Sequence, residues 1–221
     1  CAFIRKKYPK YQDEIEFLKL KGPTYERSRR VDAINDAIKD KLDIVIMDDG
    51  FQDFSIKKNI SIVCFHEKQW FGNGLTIPSG PLRENLSGLK RANYVFINGK
   101  KNEYNESILL KKNQSLKIFY YNYRPTNIKV FENKKAVCFA GIGNPSNFFN
   151  LLKKNNIDVI EEISFPDHYN FSEEDLKMLD QKAKTLEAIL LTTEKDYLRL
   201  NDSYKEKINY LNIEVEIENE D

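Results

Sequence analysis

The sequence predicts an α/β protein: a parallel sheet with helices on both faces, joined to a smaller second α/β lobe. Three observations predict it. In the stretch 43–53, DIVIMDDGFQD, residues Ile44, Val45, Ile46 and Met47 form an unbroken apolar run, which suits a strand buried on both faces of a parallel sheet. Ahead of it, Val31, Ile34 and Ile38 recur at helical spacing, and helix before strand is the order that builds parallel sheets. Beyond a Gly- and Pro-rich middle, the alternation of strand and helix restarts at Ala136. At 221 residues the chain is long enough for one large α/β domain or two small ones.

Composition narrows the function. Thirty-five basic against 34 acidic side chains leave a net charge of +1, so there is no global electrostatic footprint for nucleic acid, and no such partner is expected. Cys1, Cys64 and Cys138 are odd in number and scattered, and the latter two lie in apolar runs. They read as reduced thiols rather than a disulfide or zinc framework. No apolar run approaches the length of a membrane-spanning helix and no secretory segment is present, so a soluble chain is expected. The first residue is Cys rather than Met, which reads as a start lost by truncation in preference to the lipidated Cys of a bacterial lipoprotein.

From the amino end, Arg5, Lys6, Lys7 and Lys10 precede Gln12-Asp13-Glu14-Ile15-Glu16-Phe17-Leu18, which reads as a helix. The chain turns at Lys21-Gly22-Pro23 before Arg27, Arg29 and Arg30. These basic clusters suit phosphate groups or an anionic membrane surface, although a solvated face is the plainer reading. The helix at 31–39 leads into the apolar run, which ends in Asp48 and Asp49. Ligands of open α/β sheets lie beyond the carboxyl ends of the strands, where two carboxylates can meet a phosphate-bound Mg²⁺, so the run has the form of a Walker B strand. Asp-Asp-Gly is also an ordinary strand-ending turn.

Further strands are expected at 60–65 and 94–97. Between them, Phe71-Gly72-Asn73-Gly74 and Pro78-Ser79-Gly80-Pro81-Leu82-Arg83-Glu84 describe a shaped loop, which either carries function or covers surface, and a short helix runs to about Ala92. His66, with no partner nearby in sequence, reads as structural. The segments 117–123 and 128–131 flank Arg124-Pro125-Thr126-Asn127 and read as a β-hairpin, which places a hinge at 117–134 between lobes at 1–116 and 135–221. A strand at 136–140, a helix at 146–154 and a strand at 157–163 follow. After the loop Phe165-Pro166-Asp167-His168-Tyr169-Asn170 comes a helix capped by Ser172 and Asp175, then a strand at 188–192, a short helix and an edge strand at 213–217. Gly141-x-Gly143 invites a dinucleotide reading, but Ser146 stands where the third glycine belongs and no following acidic residue suits a ribose.

Taken together, DDGFQ at 48–52, FGNG at 71–74, GPLRE at 80–84, AGIGNP at 140–145, FPDH at 165–168 and TTEKD at 192–196 resemble, in order and spacing, the tetraacyldisaccharide 4'-kinase family. The resemblance runs from about Asp13 to Leu200. It implies a P-loop NTPase-like core lobe with a smaller α/β lobe joined by a β-hairpin. It also implies transfer of the γ-phosphate of ATP to the 4'-hydroxyl of a tetraacylated glucosamine disaccharide 1-phosphate, giving lipid IVA. ATP and Mg²⁺ are the implied cofactors. An acylated disaccharide phosphate lipid and a membrane surface are the implied partners, at the cytoplasmic face of the bacterial inner membrane. A monomer is the expectation, although the residues themselves do not specify an oligomeric state.

By motif, the resemblance gives Asp48 and Asp49 the Walker B positions for Mg²⁺ and its water shell, with Gln52 assisting beside the metal strand. Arg83 and Glu84 take the active-site loop position, where a guanidinium would neutralise charge on the transferring phosphoryl group. In the family an Asp and a His act together on the acceptor proton, and the matching positions are Asp13 and His168. The carboxylate would orient the ring and raise its basicity, or share the proton. With Asp13 in the first lobe and His168 in the second, lobe closure is expected to assemble the pair.

Two departures stand out. Asp53 follows DDGFQ where the family usually has His, so any phosphate contact of that His is lost or replaced. No G-x-x-x-x-G-K-[ST] occurs, although that loop supplies the NH groups, Lys and hydroxyl that cradle nucleotide phosphates. The expectation is a kinase truncated ahead of Cys1, whose residues alone bind ATP poorly, turn over little and expose a sheet edge prone to aggregation. The alternatives are a P-loop-free paralogue that binds acylated sugar phosphate without catalysis, and an oxidoreductase using the Gly141 turn.

Overall fold

The computed structural model describes residues 1–8 and 12–218, without the side chains of Gln12 and Asp13. Its contacts sort the chain into two compact units, one of Cys1–Asp48 with Pro125–Ile213 and the other of Asp49–Arg124 with Glu214–Asp221. This partition differs from boundaries at 116 and 134. The opening segment groups with the carboxyl-terminal half.

The first unit begins with three parallel strands, β1 (Ala2–Lys6), β2 (Thr24–Arg27) and β3 (Val45–Met47), in the order β2-β1-β3, connected by α1 (Gln12–Lys21) and α2 (Arg30–Lys39). Ala2 and Ile4 of β1 are wholly buried against Ala33 and Ala37 of α2, with Val45 and Met47 packed on the same cluster. The run at 44–47 is therefore covered on one face, not two: Val45 and Met47 pack on the cluster, while Ile44 is 61% and Ile46 49% exposed.

The second unit is built on β4 (Ile62–His66), β5 (Tyr94–Asn98) and β6 (Lys117–Pro125), parallel neighbours in that order, with α3 (Glu103–Lys112) between the last two. Val95, Ile97, Leu109, Leu116 and Tyr120 form its core. Residues 128–131, expected as the second arm of a hairpin, form a 3-10 turn instead. Three residues complete one turn of such a helix, so Ile128 and Phe131 share a side and pack inward while Lys129 and Val130 stay exposed.

The chain then returns to the first unit with β7 (Lys135–Ala140), α4 (Pro145–Lys154), β8 (Asp158–Ser164), α5 (Glu173–Thr185), β9 (Ile189–Thr193), α6 (Glu194–Leu198), α7 (Asp202–Lys205) and β10 (Ile208–Leu211). The strands lie parallel in the order β10-β9-β7-β8. Here β7 is covered on both faces. Ala136, Cys138 and Ala140 meet Phe148, Phe149 and Leu152 of α4, while Val137 and Phe139 meet Leu176, Leu179 and Ala183 of α5, as the two-residue strand period requires. The last strand, β11 (Ile213–Ile217), borders β6 and makes the second unit's sheet β11-β6-β5-β4. Among the described residues no helix is long and apolar enough to cross a membrane.

Candidate active site

In the first unit the carboxyl end of β3 delivers Asp48, whose N–H donates to the Ile4 carbonyl at 3.1 Å. Its carboxylate pairs with Arg5 at 2.9 Å, and Arg30 donates to its carbonyl at 3.0 Å. Arg5 is only 8% exposed because Glu14 of α1 takes its other terminal nitrogen. Glu14 is the hub of this cluster. Its Oε1 lies 3.2 Å from Lys195 Nζ and 3.7 Å from His168 Nε2. The Asp13 side chain lies outside the described residues, so the expected Asp13–His168 pairing is not described. Helix α1 and His168 belong to the same compact unit.

His168 sits in the loop after β8 at φ +57°, a left-handed backbone conformation that side chains with a β-carbon adopt sparingly. The conformation is held by hydrogen bonds. Its N–H donates to the Gly141 carbonyl at 3.1 Å and lies 3.1 Å from Asp167 Oδ1. Gly141 in turn approaches its neighbours closely: a β-carbon there would stand 3.1 Å from the Pro166 carbonyl and 3.2 Å from Tyr169 Cβ. The Gly141 N–H donates to Asp196 Oδ2 at 3.1 Å, so the glycine turn spends on Asp196 the donor that a dinucleotide phosphate would need. Asp196 is fully buried, and burial raises its pKa against the opposing pull of Thr193, Arg199, the Gly141 N–H and Lys195.

The second unit carries the remaining expected residues. Asp49, at φ +52°, turns the chain after β3 and pairs with Arg83 at 2.8 Å. Gln52 Nε2 donates to Glu84 Oε1 at 3.0 Å. Arg91, at the end of the 3-10 turn Leu86–Arg91, donates to both Glu84 oxygens at 2.8 and 2.7 Å, and its guanidinium lies 4.7 Å from the ring centres of both Phe51 and Phe54. The structure thus joins the DDGFQ loop to the GPLRE loop through Asp49–Arg83 and Gln52–Glu84. Asp53 accepts from Ser55 Oγ at 2.5 Å. His66 Nδ1 accepts from the Lys68 N–H at 3.2 Å.

Among the described residues no group of three or more His, Cys, Asp or Glu side chains forms a metal cage. Mg²⁺ needs none, since it keeps several waters and takes one or two carboxylates together with phosphate oxygens. Asp48 and Asp49 are hard oxygen donors of that kind, and each pairs with a guanidinium here, Asp48 with Arg5 and Asp49 with Arg83. None of Glu14, Arg5, Lys195 and Arg91 took a site role from the sequence, although Arg5 stood in a basic cluster, Lys195 in the TTEKD motif and Glu14 beside Asp13; Arg91 left no signal.

Residues 13–221 match the family model for the tetraacyldisaccharide-1-P 4'-kinase, LpxK. The tetraacyldisaccharide 4'-kinase of Pelagibacter ubique is 40% identical over 227 aligned residues, covering 100% of this chain and 71% of that protein. Proteins of the same name from Parvibaculum lavamentivorans and Paramagnetospirillum magneticum are 34% and 33% identical, covering 86% and 96% of this chain. The chain spans 56% and 65% of their respective lengths. The fold resembles a crystal structure of LpxK from Aquifex aeolicus in complex with ATP, with a TM-score of 0.70 at 22% identity, over 98% of this chain and 75% of that one.

Proposed function

We propose that this chain, which belongs to the tetraacyldisaccharide-1-phosphate 4'-kinase family, serves transfer of the γ-phosphate of ATP to the 4'-hydroxyl of a tetraacylated glucosamine disaccharide 1-phosphate, giving lipid IVA. The observation that carries the proposal is 40% identity along the whole chain to a relative bearing that name. The acceptor is a lipid, so the reading includes peripheral contact with a membrane surface, at the cytoplasmic face of the inner membrane, by a monomer.

In this proposal His168, with Asp13 beside Glu14 on α1, takes the proton of the acceptor hydroxyl as its oxygen bonds to the γ-phosphorus. The bond from that phosphorus to the bridging oxygen of ADP breaks. Glu14 lies 3.7 Å from His168 Nε2 and is itself held by Arg5 and Lys195, so it would orient the ring. Asp48 and Asp49 are the residues that would hold Mg²⁺, which would supply charge neutralisation for the triphosphate. Arg83 supplies positive charge to the transferring phosphoryl group, and Gln52 and Glu84 order its loop. With no G-x-x-x-x-G-K-[ST] among them, these 221 residues by themselves are proposed to bind ATP weakly.

The test is transfer of labelled phosphate from ATP to the tetraacyldisaccharide 1-phosphate, by the chain expressed with any coding sequence that precedes Cys1 in frame. Transfer that drops about 10²–10⁴-fold in His168→Ala supports the proposal. Binding of the lipid without transfer would replace it with the catalysis-free reading.

A further inference from the structure

A buried ion pair lies behind the His168 loop and takes no direct part in the mechanism above. Asp196 is 0% exposed and the Arg199 side chain 6%. Arg199 binds the Asp196 carboxylate and donates from the same nitrogen to the Gly141 carbonyl at 2.8 Å, while its other terminal nitrogen donates to the Tyr169 carbonyl at 3.3 Å. Asp196 completes the grip from the opposite side through the Gly141 N–H and accepts from Thr193 Oγ1 at 2.6 Å. Both polar groups of the Gly141 peptide are thereby held by the pair, and the same carbonyl receives the His168 N–H. An ion pair this deeply buried rarely stabilises a fold more than apolar side chains of equal volume, because both charges lose their hydration. Its planar fork does something apolar groups cannot. It fixes the spacing between two backbone carbonyls, one on either side of the loop.

We propose that Asp196 and Arg199 are positioning residues for His168, setting through Gly141 and Tyr169 the left-handed turn that directs the imidazole toward Glu14. The proposal deepens the reading of His168 as proton acceptor and rests on it. Arg199→Lys keeps the charge but loses the fork, and Asp196→Asn keeps the shape but loses the charge.

The chain contains two histidines, His66 and His168, so its imidazole NMR signals are few and His66 serves as an internal reference. In the 221-residue chain we expect Arg199→Lys to move the His168 Cε1–H titration midpoint by at least half a pH unit and to leave that of His66 in place. Among the described residues, the Glu14 and Asp167 carboxylates lie 3.7 and 3.9 Å from His168 Nε2 and Lys195 pairs with Glu14, and none of them is altered. In the chain expressed with any coding sequence that precedes Cys1 in frame, the same change should lower kcat for phosphate transfer at least tenfold with little change in KM for ATP. Should Arg199→Lys fail to fold, Asp196→Asn carries the same expectation. A folded variant whose melting temperature falls while the His168 signals stay at their wild-type positions overturns the proposal and makes the pair purely structural. If His168→Ala transfers phosphate at the wild-type rate, the proton-acceptor reading fails, and the NMR result still decides whether the pair positions the ring.

Discussion

At the scale of single residues, the three thiols differ through their surroundings alone. Burial, with Glu162 nearby, pushes the Cys138 thiol up to about 12, whereas Cys1 and Cys64 are both exposed, and partial desolvation by its surroundings raises only the Cys64 thiol of these two. Treatment of the folded protein at pH 8 with a thiol-reactive disulfide should modify Cys1 first, Cys64 more slowly, and Cys138 only after unfolding. Reaction of Cys138 at the rate of Cys1 would show that the packing around β7 opens readily. The residue scale is also where sequence reading stopped short. Asp48, Asp49, Arg83 and His168 stand in motifs, whereas Glu14 meets Lys195 across 181 positions, Arg199 meets Gly141 across 58 and Arg91 meets Glu84 across 7, and periodicity carries no record of such pairings.

At the scale of elements, α5 shows how a local signal becomes a stable start. Ser172 Oγ accepts from the Asp175 N–H at 3.1 Å, and Asp175 accepts the Ser172 N–H at 2.9 Å, the reciprocal capping box foreseen in the sequence. The Ser172 hydrogen bonds hold the Asp175 carboxyl below its usual range. A depressed acid stabilises above its unfolded pKa, and that contribution disappears as pH falls through the folded value, here below about pH 4. Ser172→Ala should therefore cost about 1 kcal/mol in urea unfolding at pH 7, and less at pH 3. An equal cost at both would remove the carboxylate from the account. Strands β7, β8 and β9 were legible for the same reason as this cap: each signal is complete within a few residues. Strands β1 and β2 were not, since Arg5 counts as solvated until Glu14 and Asp48 are brought against it.

At the scale of the whole molecule, two units with separate cores predict unfolding in more than one step. The chain carries one tryptophan, Trp70, packed on the core of the second unit, while Cys138 lies in the core of the first. Trp70 fluorescence and Cys138 trapping should give separate urea midpoints, and coincident curves would show a single cooperative transition. The sequence marked the α/β class and the late edge strand, but not the return of 214–218 to the second unit, because strand pairing across some 90 residues leaves no local trace. That return has a consequence during synthesis. The strand β6 emerges from the ribosome about 90 residues before β11, its neighbour in the sheet, so at 5–20 residues per second one flank waits roughly 4–18 s for its partner. Over that interval a nascent second unit offers a bare row of backbone donors and acceptors, and a chaperone or a neighbouring polysome has time to find it first.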